Sequence, residues 1–316
     1  MEQIQKWAEQ LKESVEAVFF GKSEVIDKIL VAILCRGHVL LEDVPGVGKT
    51  ILARAIAKSI GAEFARIQCT PDLLPADVIG VSIFNPKENN FRFRKGPILS
   101  NFVLVDEINR ATPRTQAALL EAMAENQISV EGRQLPLPEP FFLIATENPV
   151  EFEGTFPLPE AQKDRFLMSL KIGYPDRTNE ERIIASQRRI THPVQDVKAV
   201  TTKEEVQELQ QQIVQIHMDP AVLDYMMNLI EATRTDSSVD IGISPRGTLA
   251  LYKACQALAA LRGRDFVTPE DVKELAPSVF EKRIILKSDA LIRGITADTV
   301  IDGILEQVEV PVLKEQ

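Results

Sequence analysis

The chain has 316 residues, of which 45% are hydrophobic and 26% are charged, a composition typical of a globular protein with a full core. Its 36 basic and 46 acidic side chains give a net charge of -10, which argues against a protein that holds nucleic acid over its whole surface. Three cysteines without a Cys-x-x-Cys pair indicate neither a disulfide framework nor a zinc site. The amino terminus is too polar for a signal peptide, and no apolar run reaches about 18 residues, so we expect no membrane span and a cytoplasmic protein.

Short apolar runs alternate with helical patterns over the first two-thirds of the chain. The predicted strands are 38–42, 64–68, 102–105, 141–145 and 166–170, and the clearest helices are 49–60 and 114–126. Two of the strands, 102–105 and 141–145, are apolar at every position, which is typical of strands buried on both faces of a parallel sheet. The pattern predicts an α/β fold with a parallel five-stranded sheet flanked by helices.

The pattern becomes helical after residue 175. Thr202 and Glu205 form a capping box, and Ser244-Pro245 and Thr268-Pro269 each place a capping side chain before a proline at the first helical position. No strand pattern of similar quality interrupts these helices. We therefore predict an α/β core over 1–175 and a smaller all-α lid domain over 176–316.

A glycine-rich turn joins the first predicted strand to the first predicted helix of the core. Its sequence over 40–50 is Leu-Leu-Glu-Asp-Val-Pro-Gly-Val-Gly-Lys-Thr, which matches a phosphate-binding P-loop except that Asp43 stands where the full motif has glycine. Backbone N–H groups of such a loop face the phosphates, Lys49 reaches the β- and γ-phosphates, and Thr50 ligates magnesium. The predicted nucleotide-binding residues of the loop are Val44, Pro45, Gly46, Val47, Gly48, Lys49, Thr50 and Ile51.

Polar side chains follow two further buried strands. Asp106 and Glu107 come directly after 102–105, at the end of a strand where open α/β sheets bind ligands. We expect Asp106 to support the magnesium ion and Glu107 to polarise the attacking water, while Asn148 contacts that water or the γ-phosphate. Because the chain has no Asn-Lys dipeptide with which to read guanine, ATP is the expected nucleotide.

Taken together, these elements resemble the AAA+ ATPases and, more narrowly, the MoxR family, over roughly residues 15–265. The resemblance is carried by the motifs at 37–50, 72–77, 106–111, 145–149, 157–162, 164–166 and 244–246.

The resemblance implies further roles. Asn148 matches the sensor-1 position, Arg165 resembles the arginine finger that enters a neighbouring subunit's site, and Arg246 matches sensor 2. A surface ion pair with Asp164 is the alternative for Arg165. Phe20-Gly21 resembles the segment that lines the adenine pocket.

The sequence pattern predicts two hairpin insertions in the α/β core, one near 80–97 and one near 128–140. They match hairpins that, in the branch containing MoxR, magnesium-chelatase and MCM-type proteins, project toward substrate or a central pore. Arg92, Arg94 and Lys95 make the first hairpin basic, either as a solvated face or as a nucleic-acid contact.

The resemblance implies a MoxR-type ATPase that hydrolyses ATP with Mg²⁺ in a ring, expected to be a hexamer. Such proteins remodel or mature other proteins, often loading a metal or cofactor, together with a von Willebrand factor A-domain partner. The alternatives are a DNA-translocating motor of the MCM or restriction type and a nucleotide-gated scaffold without turnover. Net charge argues against the first, and the presence of Glu107 and Arg165 argues against the second. The client, the metal and the ring size are not encoded in any motif.

Overall fold

A computed structural model describes residues 1–148, 155–188 and 191–311 of the chain. The strands are β1 (Val39–Glu42), β2 (Phe64–Gln68), β3 (Gly80–Asn85), β4 (Asn90–Lys95), β5 (Phe102–Asp106), β6 (Gln127–Val130), β7 (Arg133–Pro136), β8 (Phe142–Glu147), β9 (Met168–Leu170), β10 (Val239–Ile241) and β11 (Ile285–Leu286). The helices are α1 (Glu2–Glu16), α2 (Ser23–Leu34), α3 (Lys49–Ser59), α4 (Pro75–Ile79), α5 (Pro113–Glu125), α6 (Glu160–Lys163), α7 (Arg177–Ser186), α8 (Lys203–Gln212), α9 (Pro220–Thr235), α10 (Pro245–Leu261), α11 (Pro269–Phe280), α12 (Ser288–Ile292) and α13 (Ala297–Gln307).

The core of the molecule is a parallel sheet with the strand order β2-β5-β8-β1-β9. All residues of β5 are buried, because helices cover both faces of the sheet. The predicted α/β fold and its parallel sheet are confirmed, with strand ends shifted by one or two residues. Since all of these strands run in one direction, their carboxyl ends meet at a single edge, where a ligand site is expected.

The buried apolar residues form a cluster that extends from the α/β domain into the lid. One hydrophobic cluster covers one face of the sheet and continues through α1 and α2 to the lid helices, where α2 packs against α10. We call this cluster the shared core, and Ile29, Leu30 and Ile33 of α2 and Leu251 and Ala254 of α10 belong to it. The other face of the sheet packs against α5.

The carboxyl-terminal region is helical, the predicted N-cap at Ser244 is confirmed, and a capping box forms at Thr268. At Thr202 only half of the predicted capping box forms: its hydroxyl accepts the Glu205 N–H, while the Glu205 carboxylate accepts from Thr201 instead. It differs from the predicted all-α lid in one respect, because β10 and β11 form a short antiparallel pair. Strands of three and two residues are too short to show an alternating pattern in the sequence. The boundary after residue 175 remains a prediction.

Both predicted hairpins form, as the pairs β3–β4 and β6–β7. The turn of the second lies at Glu131 and Gly132, both at positive φ, as a two-residue hairpin turn requires. In the first, Phe84 and Phe91 contact each other near the turn with ring centroids 5.4 Å apart, although Phe91 is 71% exposed.

His38 links the start of β1 to the rest of the core. It is buried, its Nδ1 accepts a hydrogen bond from Leu143 N–H, and its Nε2 donates to the Met123 carbonyl. Burial lowers the pKa of the imidazole to about 4. The folded protein therefore holds His38 neutral over a pH range in which the unfolded chain takes up a proton.

We expect the free energy of unfolding to fall by about 1.3 kcal/mol between about pH 7.5 and 5.5 because of His38. The folded pKa lies below the unfolded value of 6.5, so the stabilisation is present above 6.5 and is lost as the pH falls toward 4. Urea unfolding at the two pH values measures the loss. It should disappear in His38→Gln and persist in His217→Gln, which replaces an exposed histidine. Equal pH dependence in wild type and His38→Gln would contradict the assignment.

Candidate nucleotide site

The predicted P-loop connects β1 to α3 at the carboxyl edge of the sheet. Gly46 and Gly48 have φ values of +90° and +92°, a conformation that side-chain-bearing residues rarely adopt. A Cβ on Gly48 would also lie 3.1 Å from the Phe19 ring. The helix α3 begins at Lys49, so its unpaired N–H groups and its dipole favour an anion in front of the loop.

A cavity of about 310 Å³ lies in front of the loop. It is lined by Pro45, Gly46, Gly48, Lys49, Thr50, Ile51, Arg66, Gln68, Asp106, Glu107, Thr146 and Asn148. The structure thus brings the P-loop together with the polar residues at the ends of β5 and β8. A cavity with basic, hydroxyl and carboxylate groups on facing walls can hold an anion and a divalent cation at once.

Lys49 is half-buried at the floor of this cavity. Its Nζ donates a hydrogen bond to the Asp43 carbonyl at 2.7 Å. Burial lowers the pKa of the amine, while the carboxylates of Asp43, Asp106 and Glu107 act in the opposite direction. A phosphate in the cavity would offer this amine a stronger acceptor than a carbonyl oxygen.

Asp106 and Glu107 are fixed by one threonine. Thr146, near the end of β8, donates through Oγ1 to the Asp106 carboxylate at 3.3 Å and accepts the Glu107 N–H at 2.9 Å. Asp106 also pairs with Arg66 at 2.6 Å. Glu107 has a positive φ of 57°, which is uncommon for a residue other than glycine and is a feature of functional sites.

The Glu107 carboxylate is held by two donors. Oε2 accepts hydrogen bonds from Gln68 Nε2 and from Arg110 Nη1, both at 3.0 Å. Sequence reasoning did not single out Gln68, Arg66, Arg110 or Thr146. A signal existed for Gln68, because it ends the predicted strand next to the one that carries Asp106, and the two residues are paired in register.

Asn148 follows β8, is 6% exposed and lines the cavity. Its predicted contact with water or phosphate remains a prediction. Pro149, the last residue of the 145–149 motif, lies outside the described residues.

A second cavity of about 110 Å³ adjoins the first and shares Gly46, Gly48 and Ile51 with it. Its walls include Phe20, a candidate for the adenine pocket, and Val47 of the loop, whereas Gly21 and Val44 line neither cavity. Sequence reasoning missed the other apolar residues of this wall, among them Phe19, Ile172, Pro175 and Ile183. A mainly apolar cavity beside a phosphate loop is suited to a nucleobase.

The two predicted arginines lie elsewhere. Arg165 and Arg246 are exposed, and neither lines either cavity. Arg165 donates through Nη1 to the Leu120 carbonyl at 2.8 Å. Asp164, the alternative partner of Arg165, pairs instead with Arg283 of the lid at 2.7 Å.

Comparison with known proteins identifies the class of protein to which this chain belongs. Residues 38–168 match the ATPase family associated with various cellular activities (AAA), and residues 231–304 match the AAA lid domain. A crystal structure of a Cytophaga hutchinsonii protein superposes with a TM-score of 0.91 at 37% identity, covering 98% of each chain. The fold and the phosphate loop are those of an AAA+ ATPase with its lid.

Similarity to individual proteins narrows the class. The chain is 49% identical to uncharacterized protein YeaC of Bacillus subtilis, over 95% of this chain and 93% of the relative. It is 41% identical to chaperone MoxR1 of Mycobacterium tuberculosis, over 94% of this chain and 80% of the relative, and 32% identical to protein MoxR of Paracoccus denitrificans, over 86% and 87%. The chain belongs to the MoxR family of AAA+ ATPases. No helix in the described part of the chain combines the length and the hydropathy that a membrane crossing requires.

Proposed function

We propose that this protein binds ATP with Mg²⁺ and hydrolyses it. The observation that carries the proposal is the single cavity in which the P-loop faces Asp106, Glu107 and Asn148. The adjoining apolar cavity, which Phe20 helps to line, would hold the adenine base next to the phosphates. These features support ATP as the substrate. The sequence has no Asn-Lys dipeptide with which to read guanine, so GTP is not favoured.

Two cavity residues have the ligand chemistry that magnesium prefers. Thr50 follows Lys49 in the first turn of α3, and Asp106 lies across the cavity. Hydroxyl and carboxylate oxygens are hard ligands, which suit Mg²⁺ together with phosphate oxygens and water. The ion would neutralise charge on the phosphates, and Thr50 and Asp106 would hold it.

In the proposed reaction, the oxygen of a water molecule attacks the γ-phosphorus and the bond to the β–γ bridging oxygen breaks. ADP leaves with the electron pair of that bond, and Glu107 takes a proton from the water. Lys49 stabilises the charge that develops on the phosphate oxygens. Asn148 hydrogen-bonds the water or the γ-phosphate.

The exposed Arg165 supports an assembly in which protomers share sites. Arg165 lies outside its own cavity, so we propose that it enters the site of a neighbouring protomer in a ring, taken to be a hexamer. Arg246, near the start of α10, would reach the γ-phosphate from the lid of the same chain. Guanidinium groups suit both tasks because they are always charged and their planar fork matches phosphate oxygens.

We further propose a chaperone-like function, in which hydrolysis drives remodelling or maturation of a partner protein, with a von Willebrand factor A-domain protein as co-partner. The relative named chaperone MoxR1 supports the chaperone-like function, as does the exposed hairpin β3–β4 with its aromatic pair. The rival is a DNA-translocating motor, supported by exposed Arg92, Arg94 and Lys95 on the same hairpin. ATPase activity that rises with single-stranded DNA and falls steeply with salt would favour the rival.

The proposal predicts Mg²⁺-dependent hydrolysis of ATP in preference to GTP, lost in Lys49→Ala. We expect that variant to bind ATP about 100-fold more weakly, because a buried charge contact with phosphate is removed. Calorimetric titration and a phosphate-release assay measure the two effects, and Lys87→Ala, which removes an exposed lysine, should match wild type. Tight binding of ATP with negligible turnover in the assembled wild type would instead identify a nucleotide-gated scaffold.

A further inference from the structure

Asp43 occupies the first position of the phosphate loop, where the full motif has glycine. Its side chain is 8% exposed and does not line the cavity. The carboxylate accepts hydrogen bonds from the backbone N–H groups of Ile172 and Gly173, and the Gly173 N–H lies 3.1 Å from both of its oxygens. Hydrogen bonds to an ionised acceptor are about twice as strong as neutral ones, so this residue fixes the chain at 172–173 firmly.

The main chain of Asp43 belongs to the phosphate site. Its carbonyl accepts the hydrogen bond from Lys49 Nζ at 2.7 Å, and its N–H donates to the Glu147 carbonyl at the end of β8. Because the Lys49 ammonium has three N–H donors, a bound phosphate would share this lysine with the Asp43 carbonyl and pull on the hydrogen bond between them. The same residue thus contacts the lysine through its main chain and residues 172–173 through its side chain.

Residues 172–173 lie where the chain leaves β9 for the predicted lid, and we call them the hinge. Ile172 and Gly173 also line the apolar cavity proposed for the base. Gly173 has a φ of +66°, a conformation that favours glycine, although a Cβ there would meet nothing closer than Lys22 Nζ at 3.7 Å. Lys22 in turn donates to the Tyr174 carbonyl at 2.9 Å, so Asp43 and Lys22 both hold this short segment.

The residue before Asp43 contacts the lid itself. The Glu42 carboxylate pairs with Lys282, which follows α11, at 2.6 Å. The end of β1 therefore contacts the lid through Glu42, and the next residue, Asp43, contacts the hinge. A small displacement of this strand end changes both contacts together.

From these contacts we infer that Asp43 is a positioning residue, which couples phosphate binding at Lys49 to the position of the hinge between core and lid. The inference rests on the proposed ATP binding. In this arrangement glycine at the first loop position would preserve the phosphate cradle and remove the coupling. Asp43 thereby acts on turnover through lid position, without touching the nucleotide.

The test uses the full-length protein and the variants Asp43→Asn and Asp43→Gly. In Asp43→Asn, an amide oxygen in the place of Oδ2 can accept both backbone N–H groups, but the negative charge is lost and an N–H₂ donor replaces Oδ1 beside the Gly173 N–H. We expect kcat to fall about tenfold with ATP affinity within about threefold of wild type, the effect of replacing hydrogen bonds to a charged group by weaker neutral ones. Asp43→Gly should likewise lower kcat with little change in ATP affinity. The test can therefore still be made if one of the two variants folds poorly.

Hydrogen–deuterium exchange of the peptide over 168–176 provides a second readout. In wild type we expect exchange at the hinge to be slow and to change when AMP-PNP and Mg²⁺ are added. In the Asp43 variants it should be fast and unresponsive. The matched control is Asp219→Asn, because that carboxylate also accepts a backbone N–H, from Ala221, but caps α9 in the lid.

The outcomes separate the coupling from the function on which it rests. If wild type hydrolyses ATP and the Asp43 variants retain wild-type kcat and a wild-type hinge response, the coupling is refuted and the proposed function stands. If the variants lose thermal stability alone, as Asp219→Asn should, Asp43 is a structural clamp and the inference is wrong. If wild type itself binds no ATP, the coupling and the proposed function are both refuted.

Discussion

Replacing Glu107 with glutamine is expected to lower ATP turnover by about 10²–10⁴ while leaving ATP affinity close to that of wild type. Glutamine keeps the shape of the side chain and its hydrogen bonds, but it cannot accept a proton from the attacking water. The carboxylate lies in the cavity beside Gln68 and Arg110 and takes no part in the predicted phosphate contacts of the loop.

Single-turnover hydrolysis and a binding titration of Glu107→Gln measure the two quantities. Glu125→Gln, an exposed glutamate near the end of α5, is the matched control and should behave as wild type. Undiminished hydrolysis by Glu107→Gln would remove Glu107 from the proposed reaction. The same variant, held in its ATP state, is also the best bait with which to capture a von Willebrand factor A-domain partner, a client protein or nucleic acid.

Arg165→Ala is expected to lower turnover by about 10³ or more in the assembled protein, because an arginine finger stabilises the charge of the transition state. The variant retains its own phosphate cavity, which Arg165 does not line. Mixing it with Glu107→Gln should therefore restore part of the activity. Each Arg165→Ala site would then receive an intact finger from a Glu107→Gln neighbour.

The mixing experiment distinguishes a shared site from a local effect of the substitution. Arg165→Ala also removes a hydrogen bond to the Leu120 carbonyl, and a structural loss of that kind would not be rescued by a second inactive variant. Arg165→Lys should remain impaired, since lysine lacks the planar fork. Arg114→Ala, at the exposed start of α5, is the control. Absence of rescue in rings that demonstrably contain both variants would contradict action between protomers.

The sheet and the cavity could be predicted because their determinants are local. An apolar run such as 102–105 indicates a buried strand, and parallel strands necessarily bring Asp106 and Asn148 to one edge. The hairpin turn at Glu131-Gly132 was predictable for the same reason, because the backbone conformation restricts the residue type.

What could not be predicted depends on contacts between distant segments and on backbone groups. Asp43 stood out in the sequence only as a departure from the P-loop motif, because its partners are N–H groups about 130 positions away that have no side-chain identity to recognise. Arg283 was missed for a related reason. It is buried against Asp164 and the carbonyls of Phe166 and Leu167. Nothing in the identity of these residues indicates that they contact an arginine elsewhere in the chain.

The shared core restricts how the lid can move. Because Leu30 and Ile33 of α2 and Leu251 and Ala254 of α10 are buried in one continuous cluster, a lid that swung away from the core would expose these side chains to water. At about 25 cal/mol for each Å² of apolar surface exposed, even a modest opening would be strongly opposed. We therefore expect a rearrangement at the hinge to slide α10 along α2, a shear motion that keeps the interface dry, rather than to open the two parts like a clamshell.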